Sequence, residues 1–256
     1  MAEKTPKRTS SIAATRQADR RGKILVQVGV ASVLIALIAG IGISLAVRKS
    51  HDAEAGPVPA ITARPGNGLT GTITDTGAIR IGRPDAKVTV RIVTDMQCPA
   101  CRMLESANAG LLAEEVDNGK AAIEYQIVSF LDRASLGSRY STRAASAAFA
   151  VAESDPSKFQ GWLAAMYDKQ PAEGSTGLTD DQLIAIARDA GYTDPAVAQA
   201  ITDNKYDGYV QQVTKTLAPD IRATPTVYVN GEQIPMTQQM FAPGGLRQTI
   251  ETAANS

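Results

Sequence analysis

Two cysteines occur in 256 residues, and they stand three apart as Cys98-Pro99-Ala100-Cys101. Their flanks decide what such a pair can be. Upstream, Val88, Val90 and Ile92 alternate with Thr89, Arg91 and Val93, the period of a strand. Downstream, Met103, Leu104, Ala107, Leu111, Leu112 and Val116 recur at helical spacing. Pro99 suits a first helical turn, where its missing N–H would have no intrahelical partner. The pair therefore marks the point where a strand hands over to a helix. A helix N-terminus favours negative charge, so Cys98 is expected to be the nucleophilic thiolate and Cys101, one turn on, the resolving thiol. With no third cysteine they bond to each other or, transiently, to a partner, which is thiol–disulfide exchange. A static structural disulfide is the weaker reading, because so short a loop gains little chain entropy. A metal site would need two more ligands, and the one histidine is His51, far upstream; no metal and no cofactor is expected. The same placement of His51 excludes Ser–His and Cys–His hydrolysis in the folded part.

The charges are balanced overall, 26 basic against 26 acidic, but not along the chain. Residues 1–23 carry seven Lys or Arg against Glu3 and Asp19, and the remainder has an acidic excess. Residues 24–47 then contain no charge at all. As a helix that run spans roughly 36 Å, enough for a tilted membrane crossing. It exceeds the apolar core of about 7–15 residues typical of a cleaved signal peptide, so an uncleaved signal anchor is expected. The basic tail at 1–23 places the N-terminus in the cytoplasm and the rest outside it. Topology thus accounts for the basic tail, and no nucleic-acid partner is expected. Residues 48–73 hold Pro57, Pro59, Pro65 and four glycines without a period, and read as a flexible tether.

The folded part is expected over 74–256. Gly77 to Gly82 reads as a short strand or lead-in, and Ala121 to Phe130 as a strand that, with Val88–Asp95 and the helix after the cysteines, suggests a right-handed βαβ unit. Residues 131–220 turn helical. Ala145, Ala148, Phe149 and Ala152 make one face, while Phe159, Trp162, Leu163 and Met166 make another, with Trp162 in the core. Thr179 to Gln182 is a capping box, and Asp194-Pro195 opens a short helix. The chain returns to strand at Thr226, reaches an Asn230-Gly231 hairpin turn, and closes as a helix from Gly245.

The second informative segment is Ala223-Thr224-Pro225-Thr226, a proline at the opening of a strand. A Cys-x-x-Cys at a helix start, a helical insertion, then Thr-Pro before a strand and an Asn-Gly hairpin resembles the DsbA branch of the thioredoxin superfamily. With the anchor, it is similar to the membrane-tethered actinobacterial members. The resemblance implies an α/β thioredoxin fold with an inserted helical domain. It also implies a cis Thr224–Pro225 peptide beside the cysteines, with Thr224, Pro225 and Thr226 at the edge where client chains dock, and Pro99, Ala100 and Asp95 supporting the dithiol. The implied activity is disulfide formation in exported proteins, with a DsbB- or VKOR-like membrane oxidase as recycling partner. Isomerase or reductase chemistry on the same fold is the alternative, and a redox-silent peptide-binding module is the rival from another class. Two departures matter. Strongly oxidising members carry Pro-His between the cysteines where this chain has Pro99-Ala100, so a weaker oxidant is expected. The buried acid that thioredoxin carries six residues before the first cysteine is Ile92 here. Asp95 either substitutes for that acid through water or is an exposed strand-end carboxylate.

Overall fold

The structure, a computed structural model, describes residues 56–61 and 69–256. Six strands form one sheet: β1 (Thr70–Ile73), β2 (Ile79–Gly82), β3 (Val88–Asp95), β4 (Ala121–Val128), β5 (Thr226–Val229) and β6 (Glu232–Gln233), in the order β1-β2-β4-β3-β5-β6. Only β3 and β4 run parallel, from Val88 opposite Ala121 to Asp95 opposite Val128. Helix α1 (Pro99–Asp117) makes the crossover between them. The first half of β3 alternates as its sequence does, but from Ile92 onward every residue is buried. The reason is cover on both faces. Ile92 belongs to the main core, whereas Val93 packs with Val128 and Ile221 in a second, smaller cluster closed by Leu217.

Helix α1 begins at Pro99 and ends where Gly119 takes φ +69°, a conformation open to glycine at no steric cost. Between β4 and β5 come five helices, α2 (Tyr140–Ser154), α3 (Phe159–Asp168), α4 (Asp180–Asp189), α5 (Pro195–Thr202) and α6 (Asp207–Leu217). They bear out the expected insertion. The Thr179–Gln182 capping box and the Asp194 cap are both made, and Trp162 is fully buried against Phe159. Helix α2 departs from the one-faced expectation, since nearly every residue from Tyr140 to Ala152 is buried. Its alanines let α3, α4, α5 and α6 close around it, so small size rather than periodicity decides its burial.

The β5–β6 turn is as expected. Asn230 and Gly231 both take positive φ, 48° and 88°, and Asn230 exchanges two 2.8 Å hydrogen bonds with the backbone of Thr89. Helix α7 (Arg247–Ala254) ends the fold.

The expected tether is corrected at its C-terminal end. Thr70–Ile73 is an edge strand paired with β2. Further upstream, Ile61 is buried in the core and the Ala60 N–H donates to Glu153 Oε1 of α2 at 3.1 Å. The folded region therefore recruits residues that pattern alone assigns to a linker. The expected basic tail and membrane helix lie outside the described residues, and among the described residues no helix is long and apolar enough to cross a membrane.

Candidate active site

Cys98 is the N-cap of α1, with extended backbone at φ −78°, ψ 119° and no side-chain cap on the first turn. The N–H groups of that turn are therefore free to face its sulfur. Across from it, the Thr224–Pro225 peptide is cis, and the Cys98 thiol donates to the Thr224 carbonyl at 3.3 Å. Both cysteines are free thiols, and their environments differ sharply. Cys98 is drawn from the ordinary thiol value down to about 6, first by the Cys101 thiol hydrogen-bonding its sulfur, then by the Thr224 hydroxyl and the backbone N–H groups of Cys101 and Ala100; burial opposes them. Cys101, 2% exposed, is pushed well above the thiol range by burial, by its hydrogen bond to Cys98 and by the Cys98 charge. The Thr94 hydroxyl and the backbone of Asp95 pull it back in part. One sulfur is therefore an ionised nucleophile at neutral pH, and the other keeps its proton.

Asp95 is fully buried, which overturns the exposed strand-end reading. Its Oδ1 accepts from the Gln97 N–H at 2.9 Å and the Ser141 hydroxyl at 2.7 Å, and its Oδ2 accepts from the Leu131 N–H at 3.0 Å. Burial raises its pKa to about 6; the three donors lower it and the Cys98 charge adds to the rise. The helical insertion supplies further ties. Gln170 Nε2 donates to the carbonyls of Met96 and Cys98, both at 3.0 Å, and the Ser135 hydroxyl donates to Gln97 Oε1 at 2.8 Å. The Tyr167 and Thr94 hydroxyls share a hydrogen bond under Cys101. Beside Pro99 a groove of about 780 Å³ runs between α1 and the insertion, lined by Arg102, Met103, Pro171, Phe241 and Pro243. Met103, 54% exposed, gives it an apolar floor.

The Thioredoxin_4 family model, described as Thioredoxin, matches residues 74–250. The chain belongs to the thioredoxin family. Oxidised DsbA of Mycobacterium tuberculosis is 32% identical, with a TM-score of 0.60 over 70% of this chain and 93% of that one. Disulfide bond formation protein D of Bacillus subtilis is 28% identical over 159 residues, 60% of this chain and 68% of the relative. The serine/threonine-protein kinase PknE of Mycobacterium tuberculosis is 30% identical over 122 residues, 46% of this chain and 22% of the kinase. The chain thus spans about a fifth of the length of that curated relative.

Within this thioredoxin-family domain the residues singled out from the sequence converge on one place. Cys98, Pro99 and Ala100 open α1, with Cys101 one turn in, and Thr224 and Pro225 lie opposite. Thr226 is the exception in detail, since its hydroxyl turns back to its own loop and donates to the Ala223 carbonyl at 2.7 Å. Thr94, Gln97, Ser141, Tyr167 and Gln170 were not anticipated. Gln97 abuts Cys98 and Thr94 lies at the end of β3, so both were within reach of sequence reasoning; Ser141, Tyr167 and Gln170 carry no local signal, because a distant element brings each to the site. Glu105, buried one turn beyond Cys101, was also missed, although an acid on the apolar stripe of α1 is a signal in itself.

Proposed function

We propose that this protein is an extracytoplasmic thiol–disulfide oxidoreductase that forms disulfides in exported proteins. The observation that carries the reading is the asymmetry of the pair: a sulfur at the helix start, on a residue 8% exposed, drawn down to about 6 beside the Thr224 carbonyl, and a more deeply buried partner, 2% exposed, pushed up. A client thiolate attacks Cys98 Sγ of the oxidised pair and expels Cys101. A second client thiol then attacks the client sulfur of the mixed disulfide, leaving the client oxidised and the dithiol reduced. Thr224 and Pro225 offer a backbone edge to the client chain, and the groove beyond Pro99 takes the residues that flank its cysteine. Residues 24–47 anchor the domain to the membrane with 1–23 on the cytoplasmic side. A DsbB- or VKOR-like membrane oxidase reoxidises the dithiol. The names of the relatives, DsbA and disulfide bond formation protein D, support this reading.

The test is trapping. In cells, Cys101→Ser is expected to accumulate client adducts that dissolve on reduction, and Cys98→Ser to accumulate none. No adduct with Cys101→Ser would leave the redox-silent peptide-binding module standing. Direction is read from equilibrium with glutathione: a potential of roughly −120 to −180 mV fits an oxidant, and one near about −270 mV fits a reductase.

A further inference from the structure

Closing a mixed disulfide on Cys98 requires Cys101 to shed its proton, yet the thiol is 2% exposed and bulk water does not reach it freely. A protein group that titrates near neutral pH must take that proton if the step is to be fast. Two carboxyls are buried near the pair, and they differ. Asp95 has both oxygens occupied, by Gln97 and Ser141 on one and Leu131 on the other. Glu105 is 6% exposed, and its Oε1 is buried with no hydrogen-bond partner. A folded chain keeps a buried polar atom unpaired only where something compensates, and active sites are where such atoms gather.

Position gives Glu105 its target. It follows Cys101 by four residues on α1, so the two side chains share a helix face with Cβ atoms about 5–6 Å apart. Helical side chains lean toward the N-terminus, which tips the Glu105 carboxyl toward Cys101. Tyr167 of α3 closes this space: it bonds Thr94, whose hydroxyl faces the Cys101 sulfur, and it is electrostatically linked to Cys101, Glu105 and Asp95. Tyr125 of β4 is the other titratable group that feels Glu105. Burial alone pushes Glu105 up to about 7.

We propose that Glu105 is the proton acceptor and donor for Cys101, an inference that rests on the exchange activity proposed above. In the closing direction, ionised Glu105 takes the S–H proton directly or through one water. The Cys101 thiolate then attacks Cys98 Sγ. The Cys98–partner S–S bond breaks, the Cys98–Cys101 bond forms, and the partner leaves as a thiolate with the electron pair. The proton on Glu105 passes to solvent. In the opening direction, client attack on Cys98 expels Cys101 as a thiolate, which takes the proton from neutral Glu105.

The experiment follows one bond. Reduced full-length protein in detergent is mixed with oxidised glutathione, and decay of the Cys98–glutathione adduct is read by acid quench and mass spectrometry from about pH 5 to 9. In the wild type, decay is expected to accelerate through a step near pH 7 and then level off. Glu105→Gln, which keeps the shape but cannot ionise, should lose the step and decay at least about tenfold more slowly at neutral pH. Glu105→Asp, with a shorter reach, should retain a step at a displaced midpoint and recover part of the rate. A Glu105→Gln profile that superimposes on the wild type overturns the proposal. So does loss of the step in Asp95→Asn while Glu105→Gln keeps it. Should Glu105→Gln fail to fold, an unmoved midpoint in Glu105→Asp overturns it equally. A wild type that forms no adduct overturns the exchange reading itself, a result distinct from all of these.

Discussion

Thr224 meets the Cys98 sulfur with two groups that act in opposite directions. Its carbonyl accepts from the thiol at 3.3 Å and so favours the protonated form, while its hydroxyl favours the thiolate. Replacing Thr224 by Val keeps the β-branched shape and the carbonyl and removes only the hydroxyl. The thiolate then loses one of its stabilisers, and the Cys98 midpoint should rise from about 6 by on the order of one unit. The pH dependence of alkylation by a small haloacetamide reads this directly, because only the thiolate reacts. An unmoved midpoint would mean that the Cys101 thiol and the α1 backbone carry the shift alone. This also bears on the missing histidine. The Pro99-Ala100 pair removes one possible stabiliser, but the sulfur still has the Cys101 thiol, the Thr224 hydroxyl and two backbone N–H groups.

At the scale of elements, the insertion is a clamp on the segment from Thr94 to Cys98. Gln170, just beyond α3, holds the Met96 and Cys98 carbonyls together, and Ser141 of α2 holds Asp95. Gln170→Ala leaves both carbonyls without that donor and should lower stability by about 1–3 kcal/mol. Client oxidation should slow as well, because the start of α1 is then less firmly placed. Urea unfolding and single-turnover exchange measure the two effects, and lost stability with unchanged exchange would reduce the clamp to scaffolding. Local chemistry was legible in the sequence: Pro99 at a helix start, the Thr179 capping box, the Asp194 cap and the Asn230-Gly231 turn each depend on residues within a few positions. The clamp was not. Ser141 in an alanine-rich helix looks like one more small residue, and 46 positions of chain separate it from Asp95. The β1 edge strand was missed for a related reason, since its four residues, Thr-Gly-Thr-Ile, carry too little apolar alternation to stand out from a linker.

At the scale of the whole molecule, the same groups predict how redox state and pH jointly set stability. Glu105 and Asp95 have folded pKa values raised to about 7 and about 6 by burial, above ordinary values of 4.5 and 3.8. Their contribution is present below the ordinary values and is lost as pH rises through the folded ones. Both carboxyls are buried whichever way the cysteines are joined, so the part of that loss that burial causes falls on both forms, and only the part of the Asp95 rise that comes from the Cys98 charge is confined to the reduced protein. Cys98 has the opposite sign. Its folded value near 6 lies below the ordinary thiol value of 9.0, so its contribution is fully present above 9 and is lost as pH falls through 6. Only the reduced protein has that thiolate. The stability of the reduced form relative to the oxidised form should therefore be flat below pH 6 and climb between pH 6 and 9, by at most on the order of 4 kcal/mol. Thermal melts of the two forms across that range test it, and Cys98→Ser, which has a single form and no Cys98 thiolate, should show no rise of its own stability attributable to that group between pH 6 and 9. A chain that stabilises its reduced state in this way gives its disulfide away more readily. A gap that stays flat from pH 6 to 9 would remove the thermodynamic basis for an oxidant and leave reductase or isomerase chemistry as the better account of the same site.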